Sequence, residues 1–584
     1  MKSETSQERW LVVLLCAVPA VLYLATLRFE FVYDDHSQIV SNPLVQTWKS
    51  LPLLFTTDVW RFQNPLVVGN YWRPMFMLWL MINHSLFGFK AAGWHAASVL
   101  VHIGCTYLVY RLAVRLSRDR AMAFIAALLF ALHPSHLETV AWISGATDSL
   151  MCLFLLGSLL LFISGSEAQT KKWLYFALSI VLYLTAVLTK ETAIVGPAFI
   201  FFYVLLFGER GPAWPKRIAA GLLASGPFVA ASIVYLVQRH AALHGFSHPY
   251  LKMPWLDVLI TVPSVLWFYL RHLVWPVALS VVYDAVPVVH RTWSNFWGPL
   301  LGCVLLAAAL IGYLLRTRDR GIAFAALMLA LPLLPVLYIP ALESETFLHD
   351  RYLYLPSIGL AMIVATILRR VRWGEGQLFG VPAAQAAAAA TLIVASAIAT
   401  ASQEIYWAND ILLFGRAVTI APGSAGAFNS LGTALAARGR MKEAMFAFEQ
   451  VIKRNPDSWV AQYNVGLGYF LDGRYAEAEP HLEKAVELYP VAGDPAAVLA
   501  ESQIRQGKYA EGEEAIRHAI SVMPYKAGYR RVLAQALEGE GKPAEALTAA
   551  LEEVKKHPDD EQAQAIVERL SPKSVKTDSF SPRK

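Results

Sequence analysis

Along the first 400 residues, apolar positions come in runs of about 16–25, each long enough to cross the hydrocarbon core of a bilayer and each closed by a short polar turn. These runs predict helices at about 9–27, 93–116, 121–134, 146–164, 173–189, 192–207, 217–238, 297–315, 321–340, 352–370 and 378–400. Two more apolar stretches, 71–88 and 257–279, carry aromatic and basic residues at an end: Tyr71-Trp72-Arg73-Pro74 in one, Arg271-His272 and Trp275-Pro276 in the other. That pattern, and the break in alternation that a crossing would cause, predicts helices lying along or dipping into the outer interface.

From about Ser402 the long apolar runs stop and a different period takes over. Pro422, Pro456, Pro490, Pro524 and Pro558 stand 34 residues apart without a slip. Within that period Leu431-Gly432, Ala444 and Phe448 recur as Val465-Gly466, Ala478 and Leu482, and again as Leu499-Ala500, Gly512 and Ile516. Small residues where two helices cross, with Pro closing each unit, form the tetratricopeptide (TPR) pattern of paired antiparallel helices. The chain is therefore expected to be all-α. Residues 1–400 form a polytopic membrane domain, whose first outer loop is 28–92, and 402–562 form a solenoid of about four repeats. Residues 402–424 read as a leading half-repeat and 571–584 as a polar, disordered tail.

Composition narrows the class. Of 584 residues 56% are hydrophobic and only 16% charged, which excludes a soluble globular protein. The net charge of +6 matters less than its placement, and none of it marks a nucleic-acid partner. Arg111/Arg115/Arg118/Arg120, Lys171/Lys172, Arg210/Lys216/Arg217, Arg316/Arg318/Arg320 and Arg369/Arg370/Arg372 crowd into alternate short loops, which the positive-inside rule makes cytoplasmic. Eleven crossings from a cytoplasmic N-terminus would put the repeats outside. The first apolar run has no small-residue cleavage site before Glu30 and is expected to be a retained span. Cys16, Cys105, Cys152 and Cys303 all lie within apolar runs, without zinc-like spacing or a disulfide framework.

The outer loops then collect the charged groups. Asp34-Asp35-His36 follow the first span directly, and two adjacent carboxylates at a membrane surface mark either a water-facing loop or a working site. On the same side fall Arg73, His133-Pro134-Ser135-His136-Leu137-Glu138, Asp148, Lys190-Glu191 and His349-Asp350-Arg351. Carboxylates beside cations at this boundary suit a substrate that carries a phosphate on a lipid. Lys and Arg would hold the phosphate oxygens, and a carboxylate would take the proton of an incoming hydroxyl. The residues expected to act are Asp34 or Asp35 as base and Arg351, Lys190 and Arg73 on the phosphate. His36, His133, His136, Glu138, Asp148, Glu191, His349 and Asp350 would support them. Adjacent Asp34 and Asp35 could also take a divalent metal, which the sequence does not demand. His133, His136 and Glu138 are loose as metal ligands and fit structural hydrogen bonding better.

The order of Phe31-Val32-Tyr33-Asp34-Asp35, Asn42-Pro43, Tyr71-Trp72-Arg73-Pro74, Leu86-Phe87-Gly88 and Trp94-His95 resembles the transmembrane-and-TPR O-mannosyltransferase family. His133-Pro134-x-His136-x-Glu138, Asp148, Lys190-Glu191 and Arg351-Tyr352-Leu353-Tyr354-Leu355-Pro356-Ser357 continue it, so the resemblance spans about 20–560. It implies a membrane domain of the C-type glycosyltransferase kind, with a polyprenyl-phosphate sugar as donor. The base would be an acidic residue of the first outer loop, carried here onto Asp34 or Asp35, and the TPR groove would receive a polypeptide acceptor or partner. The short array and the absence of loop cysteines point to a bacterial homologue in the inner membrane with periplasmic repeats; a eukaryotic one would sit in the ER membrane with lumenal repeats. The rival readings are a non-enzymatic TPR membrane scaffold for envelope assembly and a lipid-linked glycan ligase or polymerase.

Overall fold

In the computed structural model the apolar runs become helices, described over residues 2–63, 69–208, 213–246, 248, 253–342, 347–371, 374, 376–378 and 381–571. The tail beyond Ser571 lies outside the described residues. The chain separates into two units, 1–422 and 423–584. The segment 402–422, expected to lead into the repeats, belongs to the first: Trp407, Leu413, Phe414 and Ala417 are buried there.

Among the described residues, nine helices of the first unit are long and apolar enough to cross a membrane, and Arg120–Ala131 with Pro134–Val140 forms a pair bent by 52°. The bend falls at His133-Pro134, where Pro lacks the N–H that would continue the ladder. One of the nine is Trp255–Val274, which the sequence pattern places along the interface and which is long and apolar enough to cross. The His248 N–H just before it donates to Asn70 Oδ1 of the first outer loop at 2.6 Å, and Leu273 O at its end accepts from His133 at 2.9 Å. With the bent pair taken as one span, the described residues hold up to ten such helices, where the charge pattern predicts eleven crossings, and Glu191–Phe207 is a shorter apolar helix. Pro74–Phe87 is too short to cross.

The basic loops are stitched by their own carboxylates. Asp119 and Asp319 each accept the backbone N–H three residues on, capping helices Arg120–Ala131 and Arg320–Ala330. The same two carboxylates bind Arg369 and Arg370 at the end of Pro356–Arg370. That fixes one end of the bundle. Its centre is the packing of Ala91–Ser117, Arg120–Ala131, Thr147–Glu167 and Pro356–Arg370, whose facing residues (Val109, Ala113, Ala123, Ala127, Leu155, Ile358, Ala365) are buried.

The second unit repeats one motif. Ala425–Ala437 pairs with Met441–Arg454, Trp459–Leu471 with Tyr475–Leu488, Gly493–Arg505 with Tyr509–Val522, and Tyr529–Gly539 with Pro543–Lys556; Glu561–Leu570 closes the array. Each pair turns on a glycine, Gly439, Gly473, Gly507 and Gly541, at φ +72° to +79°, a backbone region that favours glycine. The TPR reading therefore holds, with four pairs and a last helix.

Candidate functional site

The first span ends in a tight turn at Tyr23–Arg28, and the loop after it is anchored at once by the second carboxylate of the pair. Asp35 is fully buried: its Oδ1 accepts from Ser144 N at 2.8 Å and Ser144 Oγ at 2.6 Å, and its Oδ2 accepts from Val32 N at 3.1 Å. Asp35 thus clamps the loop to the turn Ser144–Ala146. That turn needs Gly145, where a Cβ would lie 2.0 Å from Glu138 O and 2.8 Å from the Trp142 ring. Burial pushes the Asp35 carboxyl up to about 6, against the lowering effect of its three donors.

Asp34, one residue earlier, lines a cavity of about 520 Å³. Ser37, Gln38, Trp60, Tyr71, Arg73, Trp142, Ser144, His349, Arg351 and Tyr352 are also in its wall. The structure therefore separates the two aspartates that the sequence left together: Asp35 holds the loop and Asp34 faces the space.

Two guanidiniums reach the same cavity. Arg73 grips Glu191 with both arms, at 3.1 and 2.6 Å, and lies 4.6 Å over the Tyr71 ring. Arg351 binds Glu138 through its guanidinium and also donates its backbone N–H to that carboxylate at 3.0 Å. It sits between the rings of Trp142 (5.2 Å) and Tyr352 (5.3 Å). Both side chains stay about 15% exposed, so each keeps donor edges toward the cavity.

Lys190 stands elsewhere. Its ammonium donates to Asp148 at 2.5 Å, and the pair is buried (1% and 4% exposed) behind Tyr352, whose ring lies 4.8 Å from the lysine nitrogen. Of the three cations expected on a phosphate, Arg73 and Arg351 line the cavity; Lys190 is spent on an ion pair outside its wall.

The remaining candidates are mostly structural. His133 bonds Ser135 Oγ and Leu273 O; His136 Nε2 bonds Ser357 Oγ at 2.9 Å. Glu138 turns to Arg351 and to His349, whose Nδ1 is 3.1 Å away. Asp350 accepts from the Tyr283 hydroxyl. Among the described residues no group of three or more His, Cys, Asp or Glu side chains could hold a metal ion. His36 pairs with Asp410 Oδ2 at 2.7 Å, and the Tyr33 N–H donates to Asp410 Oδ1 at 2.8 Å. Sequence reasoning missed Asp410, because a lone Asp after Trp407-Ala408-Asn409 carries no local signal beyond that of a helix start.

A pH prediction follows from Asp35. A carboxyl raised in the fold favours its neutral form, so its contribution is full below its ordinary value near 3.8 and disappears as the pH rises through about 6. The stability of the wild type relative to Asp35→Asn, read as the difference in Tm in detergent, should fall between pH 4 and 6.5. The linkage is about 3 kcal/mol at about 1.4 kcal/mol per unit, and a flat difference would refute it.

The profile of the family described as dolichyl-phosphate-mannose-protein mannosyltransferase matches residues 72–236, and a tetratricopeptide-repeat profile matches 429–492 and 498–561. The chain is 25% identical over 457 residues to Protein O-mannosyl-transferase F38B6.6 of Caenorhabditis elegans, covering 76% of this chain and 62% of that one. It is 25% identical over 504 residues to Protein O-mannosyl-transferase TMTC1 of Homo sapiens, covering 78% and 56%. The chain thus spans roughly three fifths of these relatives' lengths. Among solved structures, the crystal structure of MamA protein matches 26% of this chain and 83% of its own at 20% identity, with a TM-score of 0.24.

Proposed function

We propose that this chain, a relative of the transmembrane-and-TPR O-mannosyltransferases with a mannosyltransferase-type domain followed by repeats, is an inverting glycosyltransferase. It would move a sugar, mannose or a similar hexose, from a polyprenyl-phosphate donor to a hydroxyl at the outer face of the membrane, the acceptor being a protein. The observation that carries the reading is one cavity walled by a carboxylate, Asp34, and by two arginines, Arg73 and Arg351.

The chemistry follows from those groups. Asp34 accepts the acceptor's O–H proton while the oxygen attacks the anomeric carbon. The bond from that carbon to the phosphate oxygen breaks from the opposite face, and its electron pair leaves with the lipid phosphate. Arg73 and Arg351 meet the negative charge as it develops, in geometry already fixed by Glu191 and Glu138. The products are a glycoside, the lipid phosphate and a protonated Asp34. The repeats would lie outside, periplasmic in a bacterial inner membrane, and would offer a groove to the polypeptide acceptor.

The test is sugar release and transfer by the purified, detergent-solubilised protein, using a panel of radiolabelled polyprenyl-phosphate sugars with a polypeptide acceptor. Turnover with at least one hexose donor is expected. Neither binding nor turnover with any donor, beside a repeat-dependent phenotype that survives Asp34→Asn, would move the assignment to a membrane scaffold. Transfer to a glycan alone would make it a lipid-linked glycan ligase.

A further inference from the structure

Tyr33, immediately before Asp34, has φ +55°, a left-handed conformation that a bulky side chain adopts only when its surroundings enforce it. What enforces it comes from the far end of the membrane unit. The Tyr33 N–H donates to Asp410 Oδ1 at 2.8 Å, and its ring lies 5.4 Å from Trp142 and edge-on to Phe414 at 5.8 Å. The other oxygen of Asp410 takes His36 Nε2 at 2.7 Å. One carboxylate therefore grips the residue just before Asp34 and the residue two beyond it, while Asp35 fixes the loop from the other side through Ser144. Asp410 is not needed to cap its own helix, Asp410–Ile420, since the Asn409 side chain accepts the Leu412 N–H.

We propose that Asp410 is a positioning residue of the transfer reaction, holding Asp34 at the cavity through Tyr33 and His36. The inference rests on Asp34 being the base. Asp410 touches neither donor nor acceptor; its effect is on where the proton acceptor stands when the hydroxyl arrives. A displacement of about 1 Å at a reacting group lowers rate on the order of 100-fold, whereas the arginines that hold the donor are fixed by Glu191 and Glu138 and would not feel it.

The experiment is steady-state kinetics of Asp410→Ala and Asp410→Asn beside the wild type, normalised to folded protein by Tm and size exclusion. Asp410→Ala should lower kcat by about 10- to 100-fold with the donor KM unchanged. Asp410→Asn keeps an oxygen for the Tyr33 N–H and should recover most of the turnover. His36→Leu, on a half-exposed side chain that the fold can spare, is the second variant, and a several-fold loss in kcat at constant KM is expected. Wild-type kcat in Asp410→Ala and His36→Leu, or kcat and KM moving together, would overturn the inference. If Asp34→Asn is inactive and these variants are not, only the positioning role fails. If Asp34→Asn is active, the assignment of the base fails with it.

Discussion

Asp34→Asn should abolish transfer while leaving the protein folded and the donor bound. Asn has the size of Asp but cannot accept the acceptor's proton, and general-base catalysis of this kind is worth about 10²–10⁴-fold. Asp34 lines an open cavity and is only partly buried, and Arg73 and Arg351 still face the donor phosphate. The loss should therefore appear in kcat with Tm and donor affinity unchanged. Asp35→Asn is the control with the opposite signature. Its three hydrogen-bond donors were arranged for a carboxylate, and the amide nitrogen meets at least one of them head-on. That costs about 1–3 kcal/mol of stability and moves the pH dependence of Tm, with turnover reduced far less than in Asp34→Asn. Dead Asp35→Asn beside active Asp34→Asn would exchange the two roles.

Why the pair could be seen in the sequence but not resolved has a physical reason. Two carboxylates directly after an apolar run are conspicuous, because neither can enter hydrocarbon without cost. Which of them turns inward depends on the backbone at Tyr33, and a left-handed tyrosine leaves no trace in residue type. The positioning carboxylate was hidden more deeply, since Asp410 lies 377 positions from the backbone it holds. The repeats were legible because prolines 34 residues apart and small residues at the helix crossings state a local period, and the structure adds the turn glycines Gly439, Gly473, Gly507 and Gly541 at one register. The helix at 255–274 reads as interfacial because a crossing there breaks the alternation of basic loops, yet its length and apolar composition suffice to cross. Lys190 shows the limit of charge and side as guides. A lysine at the outer end of a span reads as a phosphate ligand until the partner that occupies it, Asp148, is seen at 2.5 Å.

That partner gives the second large effect. Lys190→Met should destabilise the membrane unit by about 3–5 kcal/mol, the cost of stranding one member of a buried ion pair. Asp148 would be left with the Thr147 hydroxyl at 3.4 Å in a site closed by Tyr352. Folded yield and turnover should fall together for that reason alone, so the single variant cannot tell a structural lysine from a donor ligand. The double variant Lys190→Met/Asp148→Leu can. Replacing both charges with apolar side chains of similar volume removes the stranded carboxylate, and such exchanges are often neutral or stabilising. If the pair is structural, Tm returns toward the wild type and turnover per folded molecule returns to within about tenfold, because Arg73 and Arg351 still hold the leaving phosphate. A double variant that regains its Tm yet releases no sugar would place Lys190 in the chemistry after all, reached by movement of Tyr352, which lines the cavity and lies over the lysine.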